Sequence, residues 1–178
     1  MYRIMMVYGG LAGAIAIAAM LINMMTEVHS LLVGYLILFT ALSMIFVGIK
    51  TYRDRQLGGV IRFSTAFGVG MGIAVVATVI YVLVWEIYLA ATDYAFMDEY
   101  VRATIEAKRA DGATAGELAK MQSEMTAMGE SYNNSPLMRV GFTLLEILPV
   151  GLLVTLVSGA LLRNSNFLAA RSGDQAGA

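Results

Sequence analysis

Long apolar runs separated by short polar segments dominate the chain. The runs lie at 4–25, 31–49, 66–92 and 137–162. A hydrocarbon layer of roughly 30 Å is crossed by about 20 helical residues, because each residue adds about 1.5 Å along the helix axis. The pattern therefore predicts four transmembrane helices. The first run is longer than the apolar core of a typical signal peptide, so we interpret it as a span.

The segment 93–134 is polar overall, but its apolar residues recur at helical spacing. A stripe with intervals of three and four residues is formed near its start by Phe96, Met97, Tyr100, Val101, Thr104 and Ile105. Charged residues occupy the opposite side of the same helical wheel. Asp111 and Gly112 interrupt the pattern, so we predict that a first extramembrane helix ends there.

A second helix is predicted after this break. Thr114 and Glu117 have the spacing of a capping box, in which each side chain satisfies a free amide at a helix start. The helix then carries a seam for packing against another helix, formed by Leu118, Met121, Met125, Met128 and Tyr132. We predict an antiparallel helical hairpin over 93–134, with Ser135 capping the fourth span and Pro136 in its first turn.

The composition favours a membrane protein and excludes several other classes. Hydrophobic residues make up 58% of the 178 residues and charged residues 14%, whereas about a quarter of the residues of an ordinary soluble domain are charged. The absence of cysteine excludes disulfide-stapled modules, thiol enzymes, cysteine zinc sites and iron–sulfur proteins, since all of these need thiolates. A net charge of −1 argues against a nucleic-acid-binding protein, which normally carries a basic face.

The charged residues are sorted by segment, and this sorting predicts an orientation. The connection after the second span is basic, with Lys50, Arg53, Arg55 and Arg62 against a single Asp54. The predicted hairpin carries an excess of acids. Short loops rich in Lys and Arg stay in the cytoplasm. We therefore expect the basic connection and both termini to be cytoplasmic and the hairpin to lie outside.

Two pairs of glycines indicate where helices pack closely. Gly9 and Gly13 form one GxxxG pair in the first span, and Gly68 and Gly72 form another in the third. Helices in lipid associate through small residues that allow their backbones to approach. We predict that spans one and three cross at these glycines. Neither pair follows a strand, so neither supports nucleotide binding.

Two carboxylates lie within the apolar runs, Glu86 in the third and Glu146 in the fourth. A charged group at mid-membrane costs at least about 2.5 to 3.5 kcal/mol, so such residues usually face a polar interior or a partner. Pro149 lacks an amide hydrogen and frees the carbonyl of Leu145 beside Glu146. Arg139, near the outer interface, is the candidate cation. Glu86, Glu146 and Arg139 thus form a candidate intramembrane polar cluster.

Three interpretations of this cluster stay open. Glu86 and Arg139 form a structural ion pair, which is the simplest explanation of a buried acid. Alternatively, Glu86 and Glu146 form a proton or cation site, because neighbouring like charges raise a carboxyl pKa. In the third interpretation, headgroups at the membrane surface solvate the glutamates.

Two weaker candidates for metal binding have simpler structural explanations. Met121, Met125 and Met128 share one helix face and thioethers bind cuprous ion, but methionine is also an adaptable packing residue. Glu27 and the single histidine, His29, fall in a short turn, where solvation explains them. No serine nucleophile, phosphate loop or paired-metal motif occurs. We therefore expect no catalytic residue, metal or cofactor, and an enzyme is disfavoured.

The chain resembles a bacterial membrane-protein family known as domain of unknown function forty-one ninety-nine. The residues that carry the resemblance are Gly48-Ile49-Lys50, Tyr52-Arg53-Asp54, Gly58-Gly59, Phe63, Ala66-Phe67, Tyr81, Trp85-Glu86, Phe96-Met97, Tyr100 and Glu146-Ile147-Leu148-Pro149-Val150-Gly151. The resemblance covers nearly the whole chain. It implies a stand-alone four-span protein of the bacterial inner membrane and supplies no activity, substrate or catalytic residue. The chain departs from the family pattern at Asn134-Ser135-Pro136, where asparagine is expected directly before proline.

These observations predict a single all-α membrane domain over 1–178, built as a four-helix transmembrane bundle with an extramembrane hairpin between the third and fourth helices. Two functions are compatible with it. One is a structural or accessory subunit that binds protein partners or itself, in contact with membrane lipids. The other is a small transporter or ion-coupled protein that uses Glu86 and Glu146.

Overall fold

The protein is all-helical in a computed structural model that describes residues 1–26 and 31–169, with side chains described for 1–21 and 35–169. Its helices are α1 Tyr2–Thr26, α2 Leu31–Gln56, α3 Phe63–Ala91, α4 Phe96–Ala110, α5 Ala115–Asn134 and α6 Pro136–Leu162. No strand occurs within these described ranges. The predicted all-α class is confirmed.

Four of the helices, α1, α2, α3 and α6, are long and apolar enough to cross a membrane. A span needs about 20 predominantly apolar residues. The other two helices, α4 and α5, carry charged residues in nearly every turn. The composition of the helices is that of an integral membrane protein.

Helix α2 extends further than its apolar run. Lys50, Arg53 and Arg55 were expected in a connection, but they lie in the last turns of α2. No glycine or proline interrupts these turns, so nothing in the local sequence ends the helix earlier. The chain then turns at Gly58 and Gly59, which both have positive φ. The Gly59 amide donates to the Arg53 carbonyl at 3.0 Å and satisfies a free carbonyl at the helix end.

Two predicted helix starts are confirmed. Thr114 and Glu117 form the full capping box at the start of α5. Ser135 precedes α6, and its hydroxyl accepts a hydrogen bond from the Met138 amide at 3.3 Å. Pro136 is the first residue of α6. Its missing amide hydrogen costs nothing there, because the first amides of a helix have no partner within it.

The chain divides into two compact units. One contains Met1–Tyr81 together with the stretch that begins at Leu145, and the other is Val82–Leu144. The first unit has a continuous apolar core to which α1, α2, α3 and α6 all contribute. Its fully buried members include Ile45, Ile49, Val69, Ile73, Ala74 and Leu162.

Within the first unit, α1 and α3 approach closely at two glycines. A Cβ added at Gly9 would lie 2.6 Å from the Cβ of Val76 and 3.0 Å from the carbonyl oxygen of Ile73. A Cβ added at Gly13 would lie 3.0 Å from Ile80. Both positions therefore need glycine because the neighbouring helix occupies the space of a side chain.

The second predicted glycine pair contributes only one of its members to this contact. A Cβ added at Gly72 would lie 2.6 Å from the sulfur of Met5 on α1. Among the described residues, no atom lies within 4 Å of a Cβ added at Gly68, so no close contact supports its predicted role in packing. The two residues lie one helical turn apart on the same side of α3, and the close contact with α1 is made at Gly72.

In the second unit, α4 and α5 pack against each other. Gly129 of α5 lies against Met97 of α4, at an ordinary van der Waals distance. Met97, Ile105 and Tyr132 are buried, and so is Trp85 near the end of α3. This apolar centre holds the turn between α3 and α4 and the end of α5.

Candidate functional site

Glu86 of α3 forms a two-point ion pair with Arg139 of α6. Arg139 Nε donates to Oε1 at 2.8 Å, and Nη2 donates to Oε2 at 2.7 Å. The Arg139 side chain is 4% exposed and the Glu86 side chain 28%, so the pair is largely shielded from solvent. This parallel geometry is the strong arrangement of guanidinium and carboxylate. It supports the interpretation of Glu86 and Arg139 as a structural ion pair.

Arg139 also satisfies the end of α5. Its Nη1 donates to the carbonyl oxygens of Tyr132 and Asn133 at 3.2 and 2.9 Å. The last carbonyls of a helix have no partner within it, and they carry partial negative charge that favours a cation. The guanidinium carbon lies 4.9 Å from the centre of the Tyr94 ring, within the range of a cation–π contact. The Arg139 side chain therefore interacts with four groups outside α6, namely the Glu86 carboxylate, two carbonyls at the end of α5 and the Tyr94 ring.

Aromatic residues next to this ion pair contact one another. Trp85 Nε1 donates to the Tyr132 hydroxyl at 2.7 Å, and the Trp85 ring meets Phe96 edge-on at 4.8 Å. We call Trp85, Glu86, Tyr94, Tyr132 and Arg139 the Glu86–Arg139 cluster. Both carboxylate oxygens of Glu86 accept hydrogen bonds within it. The cluster joins the ends of α3 and α5 to the start of α6, and its carboxylate is already neutralised.

Glu146 belongs to the other unit and has different surroundings. It lies inside the apolar run of α6, about 24 Å along the helix from Leu162. The Glu146 side chain is exposed. It forms no hydrogen bond or ion pair with any described residue. Pro149, which lies inside α6, leaves the neighbouring carbonyl of Leu145 without its helical donor. The Glu146 carboxylate and the Leu145 carbonyl, both hydrogen-bond acceptors, thus lie side by side in an apolar helix.

Glu146 lines a half-open cavity of about 140 Å³, which we call the Glu146 cavity. Apolar residues of α1 and α2 and the ring of Tyr81 form most of its walls, which comprise Ala16, Ala19, Met20, Ile37, Leu38, Tyr81, Glu146 and Ile147. Among the described residues of this lining, Glu146 alone is charged. Small side chains create the space, since two of the three wall residues of α1 are alanines.

A second buried arginine, Arg53, was missed as a structural residue. Its side chain is 0% exposed, and Nε donates to Asp54 Oδ1 at 2.6 Å. Its two terminal nitrogens donate to the carbonyl oxygens of Phe167 at 2.9 Å and Leu168 at 2.7 Å, just after α6 ends. The signal was in the sequence, because Arg53 continues the buried positions Ile45 and Ile49 at a helical interval.

The remaining candidates from the sequence are placed as follows. Met121 and Met125 of α5 are half-buried and Met128 is exposed. Glu27 and His29 lie outside the described residues. Among the residues that the structure does describe, no three of the types histidine, cysteine, aspartate and glutamate are grouped closely enough to hold a metal ion.

The fold and these two sites define an all-helical protein with four helices able to cross a membrane. The chain belongs to the family described as Protein of unknown function (DUF4199), whose model matches residues 7–164. The resemblance drawn from the sequence is thereby confirmed. No curated protein and no solved structure matched the chain.

Proposed function

We propose that the chain is an integral membrane protein that binds a cation at Glu146, as a small transporter or ion-coupled protein does. One observation carries the proposal: Glu146 lines a cavity and has no partner among the described residues. An ionised carboxylate inside an apolar helix costs about 2.5 to 3.5 kcal/mol at mid-membrane. A carboxylate retained there without a partner among the described residues is by default a candidate functional site.

The proposal differs from the two-glutamate site considered from the sequence. Arg139 occupies both oxygens of Glu86 and neutralises its charge. Releasing Glu86 to bind a second cation would leave Arg139 buried and unpaired, which is costly. Glu86 is therefore assigned to the structure and Glu146 to binding.

Charge displacement on a solid-supported membrane tests this function. Vesicles that contain the full chain are exposed to concentration jumps of sodium, potassium, ammonium or benzylammonium chloride. We expect at least one jump to give a transient current, because a cation that enters the membrane carries charge across part of the field. The Glu146→Gln variant should abolish the current.

Two controls show whether the current depends on the protein and on Glu146. Glu99→Gln removes an exposed acid from α4 and should leave the current unchanged. Vesicles without protein should give only the small response of the lipid. A current that is equal in the Glu146→Gln variant, or no current with any of the four cations, would contradict the proposed function.

An accessory subunit is the second candidate, and the exposure of Glu146 favours it. The carboxylate lies on a face of α6 that also exposes Leu145 and Leu153. A partner helix with a basic residue would satisfy the acid and cover that face. Purification in mild detergent distinguishes the two functions. A stoichiometric partner that is lost from the Glu146→Gln variant but kept by Glu99→Gln would favour the accessory subunit.

We also propose an orientation, in a bacterial cytoplasmic membrane, that places both termini and the α2–α3 turn inside. It rests on the excess of Lys and Arg near that turn and the excess of acids in α4 and α5. Because the chain has no cysteine, single cysteines report accessibility without background. Ser123→Cys should react with a membrane-impermeant maleimide in intact cells, and Leu57→Cys only after permeabilisation. The reverse pattern would invert the proposed orientation.

A further inference from the structure

The Glu146 cavity has features that restrict which cation it can take. Inorganic cations such as calcium and magnesium are bound by six or more oxygen ligands in total. Among the described residues, the cavity lining supplies one carboxylate and the ring of Tyr81, and its other members are apolar. A bare metal ion would therefore exchange its water for hydrocarbon walls on most sides, which is unfavourable.

An organic cation meets the opposite requirements. Its apolar part is stabilised by leaving water for the walls formed by Ala16, Ala19 and Met20. Its charged nitrogen needs one anion, which Glu146 provides. An aromatic ring such as that of Tyr81 also attracts alkylated ammonium groups.

The size of the cavity limits the ligand further. A cavity of about 150 Å³ with apolar walls is known to hold benzene, and the Glu146 cavity measures about 140 Å³. It is half-open, so a longer molecule would extend out of it. A single ring with one ammonium group fits these limits.

We propose that the Glu146 cavity binds a small organic cation, namely an ammonium group carried on an apolar body about the size of one benzene ring. This inference rests on the proposed function and specifies its ligand class. Glu146 supplies the anion, the alanines of α1 supply the space and the ring of Tyr81 supplies an aromatic wall.

Binding of benzylammonium to the full chain in phosphatidylcholine nanodiscs tests the inference by titration calorimetry. Benzyl alcohol, a neutral molecule of the same shape, is the matched probe. We expect saturable binding of benzylammonium that is at least about tenfold tighter than binding of benzyl alcohol, because the alcohol can still donate a hydrogen bond to the carboxylate but lacks the positive charge that strengthens it. Nanodiscs without protein correct for partition into the lipid.

Three variants locate the site. Glu146→Gln should weaken benzylammonium binding at least about tenfold, since it removes the anion. Ala16→Leu should abolish binding while the carboxylate is kept, because the larger side chain fills the cavity. Ala18→Leu makes the same change at an exposed position of α1 outside the lining and should bind as the wild type does. Thermal unfolding of each variant checks that it is folded.

The outcomes separate this inference from the proposed function. Currents with sodium, potassium or ammonium that depend on Glu146, without saturable benzylammonium binding, would overturn the organic ligand and leave the cation site in place. Binding that Ala16→Leu leaves unchanged in a folded protein would also overturn it. If neither currents nor benzylammonium binding depend on Glu146, both proposals fail.

Discussion

Two glutamates in apolar helices have opposite surroundings. Glu86 is held at two points by Arg139, which also caps the end of α5. Glu146 has no partner among the described residues and lines a cavity with apolar walls. Glu86 is explained by the fold, whereas Glu146 is not. The comparison shows that position in an apolar run does not by itself assign a function to an acid.

We expect the largest loss of stability when Arg139, the ion-pair partner of Glu86, is replaced. Arg139→Ala leaves Glu86 unpaired and the last carbonyls of α5 without a donor, so we expect a loss of about 3 to 5 kcal/mol in the free energy of unfolding. Unfolding in mixed detergent micelles measures it. Arg102→Ala, at an exposed position of α4, is the control and should change little. An equal, small change in both variants would remove the distinction between the paired and the unpaired acid.

Replacing Glu86 and Glu146 in turn by glutamine tests the same comparison with a milder substitution than Arg139→Ala. Glu86→Gln keeps an acceptor but removes the charge, and we expect a loss of about 1 to 3 kcal/mol. Glu146→Gln removes a charge that has no partner among the described residues, so the stability should stay within about 0.5 kcal/mol or rise. The same unfolding assay measures both. A large loss in the Glu146 variant would reveal a stabilising partner for that acid.

Close packing near the Glu146 cavity should be independent of its charge. Gly9→Ala places a Cβ against Val76 and Ile73, and overpacking of this kind costs about 1 to 3 kcal/mol. Gly10→Ala is the matched control, because no atom lies within 4 Å of its added Cβ. The cost of Gly9→Ala should be the same within about 0.5 kcal/mol in the Glu146→Gln background. A strong dependence on Glu146 would couple the carboxylate to the packing of α1 on α3.

We expect the smallest effect on stability at Glu117, an exposed acid that serves as a reference for Glu86 and Glu146. The Thr114 amide and hydroxyl donate to the Glu117 carboxylate and lower its pKa. The stabilisation is therefore present above the ordinary pKa of glutamate and is lost as the pH falls through the lowered value. As the pH is lowered, the Leu118 amide should lose its protection from hydrogen exchange at a higher pH than the amides in the middle of α5 do. Exchange in Glu117→Gln, which has no titrating carboxylate at this position, should lack this pH dependence, and an unchanged profile would argue against the cap.

Much of the fold could be predicted because local rules govern it. Run lengths predict the four apolar helices, and the spacing of Thr114 and Glu117 predicts the start of α5. The end of α2 could not be predicted from charge, because Arg53 is basic and yet buried, where it donates to carbonyls after α6. Gly68 shows the same limit, since its spacing from Gly72 suggests a close contact, yet no described atom lies within 4 Å of a Cβ added there.

The candidate site was only partly predictable. The sequence identified both glutamates and Arg139, because charges in apolar runs are conspicuous. It named Glu86 as the partner of Arg139 but left the site of two glutamates open, since the choice depends on which side chains meet in three dimensions. The Glu146 cavity was not predictable, because Ala16, Ile37 and Tyr81 come from three different helices and no local pattern joins them.

Site-resolved modification by a hydrophobic carbodiimide tests the central claim most directly. Such reagents attack carboxyl groups in apolar surroundings that no cation occupies. In membranes that contain the full chain, mass spectrometry should find modification at Glu146 and little at Glu86, with Glu86 becoming reactive in Arg139→Ala. Modification of Glu86 equal to or above that of Glu146 in the unchanged chain would contradict the account.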